Sequence, residues 1–136
     1  MTTARERLVV VGNGMAGGRF VQDLASGGRA DRFAITIFGD EPHGNYNRIL
    51  LSGVLAGDHN REDIFIQDTP WYRAHGMTLH AGVRVEAIDT GTKRVYGAGG
   101  VIEEYDRLVI ATGSRPSIPR MDGLLDDGAP FKDGLF

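Results

Sequence analysis

Glycines stand at positions 12, 14 and 17 in the stretch LVVVGNGMAGG, residues 8–18. The spacing Gly12-x-Gly14-x-x-Gly17 suits the binding of a dinucleotide pyrophosphate against bare backbone. Gly12 permits a tight turn, Gly14 removes the Cβ that obstructs a phosphate, and Gly17 lets a helix pack close to a strand. A helix opening at Met15 and Ala16 aims its unpaired N–H groups and partial positive charge at the phosphates. That field is worth about 0.3–1 kcal/mol when exposed and up to ~2 kcal/mol when partly buried. Most of the affinity therefore has to come from direct hydrogen bonds. A glycine-rich turn can also be purely structural; its place between an apolar run and a helical period is what gives this one meaning.

An acidic residue after the second strand of such a unit binds the adenosine ribose. The position directly after Phe38 is Gly39, and Asp40 and Glu41 follow. Asp40 is the favoured ribose residue, with Glu41 beside it. No arginine adjoins them in sequence to receive a 2′-phosphate, so nothing here points to NADP. The glycines alone do not separate NAD from FAD. Two later stretches bear on that choice. RLVIATGSRPSIP, residues 107–119, reads as a buried strand whose end, Ala111-Thr112-Gly113, carries little bulk and suits a flat ring or a phosphate at the carboxyl edge of a sheet. NYNRILLS, residues 45–52, feeds a helix start with Arg48 available as a phosphate fork.

Other reactive types suggest little. His43, His59, His75 and His80 lack metal-ligand spacing, and Ser52, Ser114 and Ser117 have no base partner. Trp71 and Tyr72 read as core anchors, and Glu103-Glu104 and Asp126-Asp127 as solvated charges. With no cysteine, these residues offer no disulfide, thiolate or Fe–S chemistry.

The elements that must position the glycines follow from periodicity. Leu8–Val11 is an all-apolar run, as in a strand buried on both faces. From Met15 the apolar rows run Ala16, Phe20, Leu24 and Val21, Ala25, a helix that Gly27-Gly28 stops. FAITIF, residues 33–38, is a second buried strand, which completes a β–α–β unit with a right-handed crossover. A loop rich in Pro, Gly and Asn comes next, then a short apolar helix in RILLSGVLAG ending near Gly57. TPWYRAHG predicts one or two helical turns with Thr69 as cap and Pro70 first. MTLHAG predicts a central parallel strand. VRVEAID, KRVYGAG and VIEEYD predict a β-meander. The fold class is α/β, a Rossmann-like parallel sheet with a small meander.

Bulk composition agrees. The 136 residues are 41% hydrophobic and 24% charged, with net charge −3. No basic stripe exists for nucleic acid, and the apolar run behind the charged N-terminus is too short for a signal or membrane span. A cytoplasmic address is the default.

GNGMAG, NYNRILLSGVLAG and the ATG strand, in that order, resemble the N-terminal part of the FAD-dependent pyridine nucleotide–disulfide oxidoreductase superfamily, across residues 7–119. Within it, the pattern is most similar to the large subunits of assimilatory NAD(P)H nitrite reductases; rubredoxin reductases and the ferredoxin reductases of oxygenase systems are near relatives. The resemblance implies FAD as cofactor. It implies FAD contacts at Gly12, Gly14 and Gly17, ribose at Asp40, pyrophosphate at Arg48, adenine near the Val85 backbone, and the strand end at Ala111, Thr112 and Gly113. An inward-facing core valine explains Val85 equally well. Two departures matter. The redox cysteine pair of the disulfide members is absent, which removes thiol–disulfide reduction. The lysine that oxygenase-type reductases often carry after the LS is Gly53 here.

The resemblance also implies an NAD(P)H-binding domain and a redox partner served through segments not in these residues. The expected organisation is a partial FAD-binding domain over 1–120 and a loose tail over 121–136 leading toward the NAD(P)H-binding domain. The 136 residues alone are then expected to be inactive and to associate through open sheet edges into homo-oligomers. The rival reading is a dinucleotide-sensing module without chemistry.

Overall fold

The computed structural model describes residues 4–117. The chain enters through β1 (Glu6–Val11), turns at the glycines into α1 (Met15–Ser26), and returns in β2 (Phe33–Gly39). Next come β3 (Asn45–Tyr46), the short helix α2 (Leu51–Ala56), β4 (Phe65–Gln67) and α3 (Thr69–Ala74). Strand β5 (Thr78–Ala81) precedes the meander of β6 (Val85–Asp89), β7 (Arg94–Gly97) and β8 (Val101–Glu104), and β9 (Arg107–Ile110) closes the described part.

The main sheet is parallel, in the order β5-β2-β1-β9. Val11 lies opposite both Phe38 and Ile110, so β1, β2 and β9 end at one edge. The chain leaves β1 toward β2 on one side, and β9 joins on the other. That reversal makes the carboxyl end of β1 a switch point, where open α/β sheets bind ligands.

Alternation along β1 explains its all-apolar run. Leu8 and Val10 face one core with Val21 of α1, Ile35, Ile37, Tyr72 and Met77. Val9 and Val11 face the other with Phe38, Val95 and Tyr105. Helices cover one face and the meander covers the other, so Leu8–Val11 leave no position for a polar residue. Removing such a side chain, as in Ile37→Ala, costs about 2–5 kcal/mol in a packed core. Tyr72 is buried and Trp71 packs on the first core, as anchors do.

The β–α–β start and the meander match the sequence expectation, whereas other elements differ from it. MTLHAG forms a parallel strand, but among the described residues β5 sits at the sheet edge, paired with β2 alone. Its residues are exposed or half-buried, which an inner strand covered on both faces would not tolerate. The cap of α3 is Asp68, not Thr69: its carboxylate accepts from the Trp71 N–H at 3.0 Å, and Thr69 and Pro70 fill the first turn. The stretch after β2 is not all loop, since β3 and β4 form a two-stranded antiparallel ribbon. β9 stops at Ile110, and Gly113 lies three residues beyond it with φ +70°.

Glu103 and Glu104 are not merely solvated. His80 Nε2 lies 2.8 Å from Glu103, and Glu104 accepts from Arg7 and Arg94. Asp126-Asp127, the 121–136 tail and the boundary near 120 lie outside the described residues.

Candidate functional site

The three glycines divide their work by what surrounds each one. Gly12 adopts φ +108°, and a Cβ there would meet the Ala111 carbonyl oxygen at 2.2 Å. A Cβ on Gly17 would meet the Gly12 carbonyl oxygen at 2.0 Å. These two positions lock turn, helix and β9 strand end together. Gly14 is different: a Cβ there meets nothing within 4 Å, and its φ of −79° suits any residue. No fold constraint requires glycine at position 14, so the open space beside its backbone is the feature to explain.

That space is a cavity of about 830 Å³ at the carboxyl edge of β1. Small-molecule sites commonly enclose about 300–1,000 Å³. Gly12, Gly14, Met15 and Ala16 form its floor, Asp40, Glu41 and Arg48 one side, Val85 another, and Ala111, Thr112 and Gly113 a third. Of the residues singled out from sequence, Gly17 alone stands behind the wall, packed against Gly12. Val85 packs on the second core, as an inward-facing valine does, and also borders the cavity.

Side chains distant in sequence hold the glycine loop from outside. Asn45, only 2% exposed, donates through Nδ2 to the Asn13 carbonyl at 3.0 Å and the Gly14 carbonyl at 2.6 Å. The Tyr72 hydroxyl donates to Asn13 Oδ1 at 2.8 Å, and burial pushes the Tyr72 phenol up. Asn13 Nδ2 is buried without a partner among the described residues. Gly18 exists for the same packing: a Cβ there would strike the Asn45 side chain. The doubled Gly17-Gly18 was the only sequence trace of this brace. Helix α1 has no acidic residue in its first turn and no side-chain cap, so its N-terminal field is uncompensated. An open backbone and an uncompensated helix start fit an anionic pyrophosphate.

The acidic side is a network. Glu41 accepts from Arg48 Nη2 and, at 3.3 Å, from the Tyr46 hydroxyl, and His43 Nε2 lies 3.3 Å from its other oxygen. Burial pushes the Glu41 carboxyl up, but the hydrogen bonds from Arg48 and Tyr46 and the nearby charges outweigh it and hold the group below its usual range. The Arg48 guanidinium is raised, chiefly by its bond to Glu41, and lies 5.0 Å from the Tyr46 ring centre. Burial first, and then Glu41, raise the Tyr46 phenol.

Asp40 is more exposed, and Arg84 Nη1 lies 3.7 Å from its carboxylate. Sequence adjacency showed no arginine near the acidic pair, but the fold brings two. Val83 N–H donates to the Gly39 carbonyl and Gly82 N–H to the Glu41 carbonyl, which ties residues 82–84 against the end of β2.

Of the other reactive side chains named from sequence, His43 and Ser114 border the cavity. No group of His, Asp or Glu with metal-holding geometry occurs among the described residues. His75 lies against Trp71, with Nδ1 2.8 Å from the Trp71 carbonyl. The Ser52 hydroxyl donates to the Ile49 carbonyl. Gly53 is occupied from above, since a Cβ would strike His59 Cδ2 at 2.5 Å. A longer side chain at that position would displace the histidine. No described helix is long and apolar enough to cross a membrane.

Comparison with known proteins decides the family. The family model described as pyridine nucleotide-disulphide oxidoreductase matches residues 6–134. The chain belongs to this family. The family joins FAD to NAD(P)H, the cofactor pair that the resemblance implies. Nitrite reductase [NAD(P)H] of Bacillus subtilis is 46% identical over 130 residues, covering 95% of this chain and 16% of the relative. The assimilatory nitrate reductase electron transfer subunit of the same organism is 45% identical over 119 residues, 88% of this chain and 15% of that protein. The chain thus spans about a sixth of the length of these relatives. Among solved structures, the covalent putidaredoxin reductase–putidaredoxin complex aligns with a TM-score of 0.78 at 30% identity, covering 90% of this chain and 28% of that one. Family and fold therefore agree with the Rossmann-like arrangement of the sheet.

Proposed function

We propose that these residues form the FAD-binding portion of an NAD(P)H-dependent flavin oxidoreductase that passes electrons to a redox partner, with nitrite as the terminal acceptor. Gly14 carries this reading: it faces open cavity, no packing demands a glycine there, and it sits at an uncompensated helix start. Gly12, Gly14, Met15 and Ala16 hold the pyrophosphate through backbone N–H groups. Arg48 adds a charge-assisted contact to the same group. Asp40 takes the adenosine ribose and the Val85 backbone borders the adenine. Ala111, Thr112 and Gly113 admit the cofactor at the strand end without side-chain bulk. Gly17 serves by packing.

Bound FAD supplies hydride acceptance from a reduced nicotinamide and onward electron delivery. These residues bind and orient it. The role proposed for these residues is placement of the cofactor. The nitrite assignment rests on the likeness to nitrite reductases. A cytoplasmic address and association of chains through open strand edges belong to the same reading, as do a domain boundary near residue 120 and lack of turnover by the 136 residues alone.

The test is titration of the 136-residue chain with FAD and, separately, with NADH, followed by flavin absorbance and fluorescence. Saturable FAD binding with little response to NADH is the expected result. Binding of NADH without FAD would replace this reading with a dinucleotide-sensing module. An NADH–dye assay of the FAD-loaded chain is expected to show no turnover beyond that of free FAD.

A further inference from the structure

Glu41 follows directly on Asp40, and both border the cavity where the adenosine ribose is proposed to lie. Their surroundings set them apart. One oxygen of the Glu41 carboxylate accepts from Arg48 and Tyr46, and His43 Nε2 lies 3.3 Å from the other. The Asp40 carboxylate has only the longer approach of Arg84. A carboxylate already bonded by Arg48 and Tyr46 is a poor acceptor for ribose hydroxyls, which would have to displace them.

The other end of the Glu41 contact is equally informative. Arg48 gives one guanidinium nitrogen, Nη2, to Glu41, and its plane lies over Tyr46. Among the described residues, no acceptor takes its Nη1 or Nε. Arg48 also lines the cavity. One edge of the guanidinium is thus fixed and the other is left for a second acceptor. A long flexible side chain loses rotamer freedom when ordered, and a partner that orders it beforehand removes much of that loss from binding.

We infer that Glu41 is a positioning residue: with Tyr46 it holds Arg48 ready for the pyrophosphate of a dinucleotide, and it does not itself contact the ribose. This rests on the FAD reading given above. Tyr46 belongs to the same device, since its hydroxyl donates to the Glu41 oxygen that Arg48 holds and its ring centre lies 5.0 Å from the guanidinium carbon.

A double-mutant cycle separates action through Arg48 from direct contact. FAD and ADP affinities are measured for wild type, Glu41→Ala, Arg48→Ala and the double variant, with thermal melting as a check on folding. Glu41→Ala is expected to weaken both ligands roughly fivefold to tenfold, within the usual coupling of contacting residues. In the Arg48→Ala background, the same substitution should change affinity less than about twofold. Glu41→Gln keeps an acceptor oxygen for Arg48 and Tyr46 and should recover part of the loss. Persistence of the full Glu41→Ala effect without Arg48 would show direct ligand contact and overturn the inference. So would unchanged or tighter binding in Glu41→Ala, which would make the pair a competitor of the phosphates. A wild-type chain that binds neither FAD nor ADP removes the parent reading and this one with it, a result distinct from either cycle outcome.

Discussion

The cavity has two walls of different construction. The glycine wall is backbone, made by residues 12–17 meeting the end of β9. The acidic wall is side chain, made by Glu41, Arg48, Tyr46 and His43 around one carboxylate, with Asp40 facing Arg84. At Gly12 and Gly17 the first wall tolerates almost no change in shape, because backbone meets backbone. The second can trade partners, because each contact is the end of a flexible chain. Under the FAD reading, substitutions in the first wall test shape and those in the second test exchange of partners.

The sharpest way to break the comparison lies within the glycine wall itself. Gly17→Ala puts a methyl group against the Gly12 carbonyl at 2.0 Å. Neither group is a flexible chain end, so helix and strand must separate. Overpacking of this kind costs about 1–3 kcal/mol or more. A drop of that size in urea stability, with FAD binding lost as a consequence, is expected. A variant as stable as wild type would mean that the loop is softer than its contacts imply.

Gly14→Val should separate binding from folding. Its Cβ meets no described atom within 4 Å and finds a compatible backbone. Stability should stay within about 0.5 kcal/mol of wild type, as for an unconstrained surface position. FAD affinity should fall by at least tenfold, because the side chain fills the approach to the backbone N–H groups. Equal FAD affinity in a folded Gly14→Val chain would show that the cavity floor is not the phosphate site.

The same contrast explains what the sequence made legible. The glycine wall is local: strand, turn and helix lie within residues 6–26, and period and spacing reveal them together. The meander was legible for the same reason, since its turns fall at TGT and GG. The acidic wall depends on contacts across the fold. Arg84 reaches Asp40 only because residues 82–84 hydrogen-bond to the end of β2. The Asn45 brace spans more than thirty positions to the loop it supports. Short pairing segments such as Tyr46 with Phe65 carry too few residues for a period to emerge. The edge position of β5 escaped because partner order in a sheet is a tertiary fact, whereas its parallel direction follows from the crossover before it.

Asn45→Ala sharpens the comparison from behind the glycine wall. It leaves the Asn13 and Gly14 carbonyls without their shared donor and opens space against Gly18. A buried hydrogen-bonding group lost in this way costs about 1–3 kcal/mol. The loop should then sample other conformations, and FAD affinity should fall by less than in Gly14→Val. Stability loss with unchanged affinity would show that the brace supports the core alone. Affinity loss larger than that of Gly14→Val would transfer the main phosphate role from the floor of the cavity to its support.

The smallest effect belongs to a charge network at the opposite end of the sheet. Asp106 accepts from the Arg7 backbone N–H at 2.7 Å and from its guanidinium, and these bonds hold its carboxyl down at about 2. A depressed carboxyl contributes stability that is complete above its ordinary value of 3.8 and is lost as pH falls toward 2. Asp106→Asn should therefore lower the melting temperature slightly at pH 5, and the difference from wild type should shrink toward pH 2. The group is well exposed, which keeps the effect small. FAD affinity at pH 7 should be unchanged, because Arg7 and Asp106 lie at the amino end of β1 and the start of β9, away from the cavity. A change in affinity would mean that strain travels the length of β1 and β9, and the two ends of the sheet could no longer be treated as separate in function.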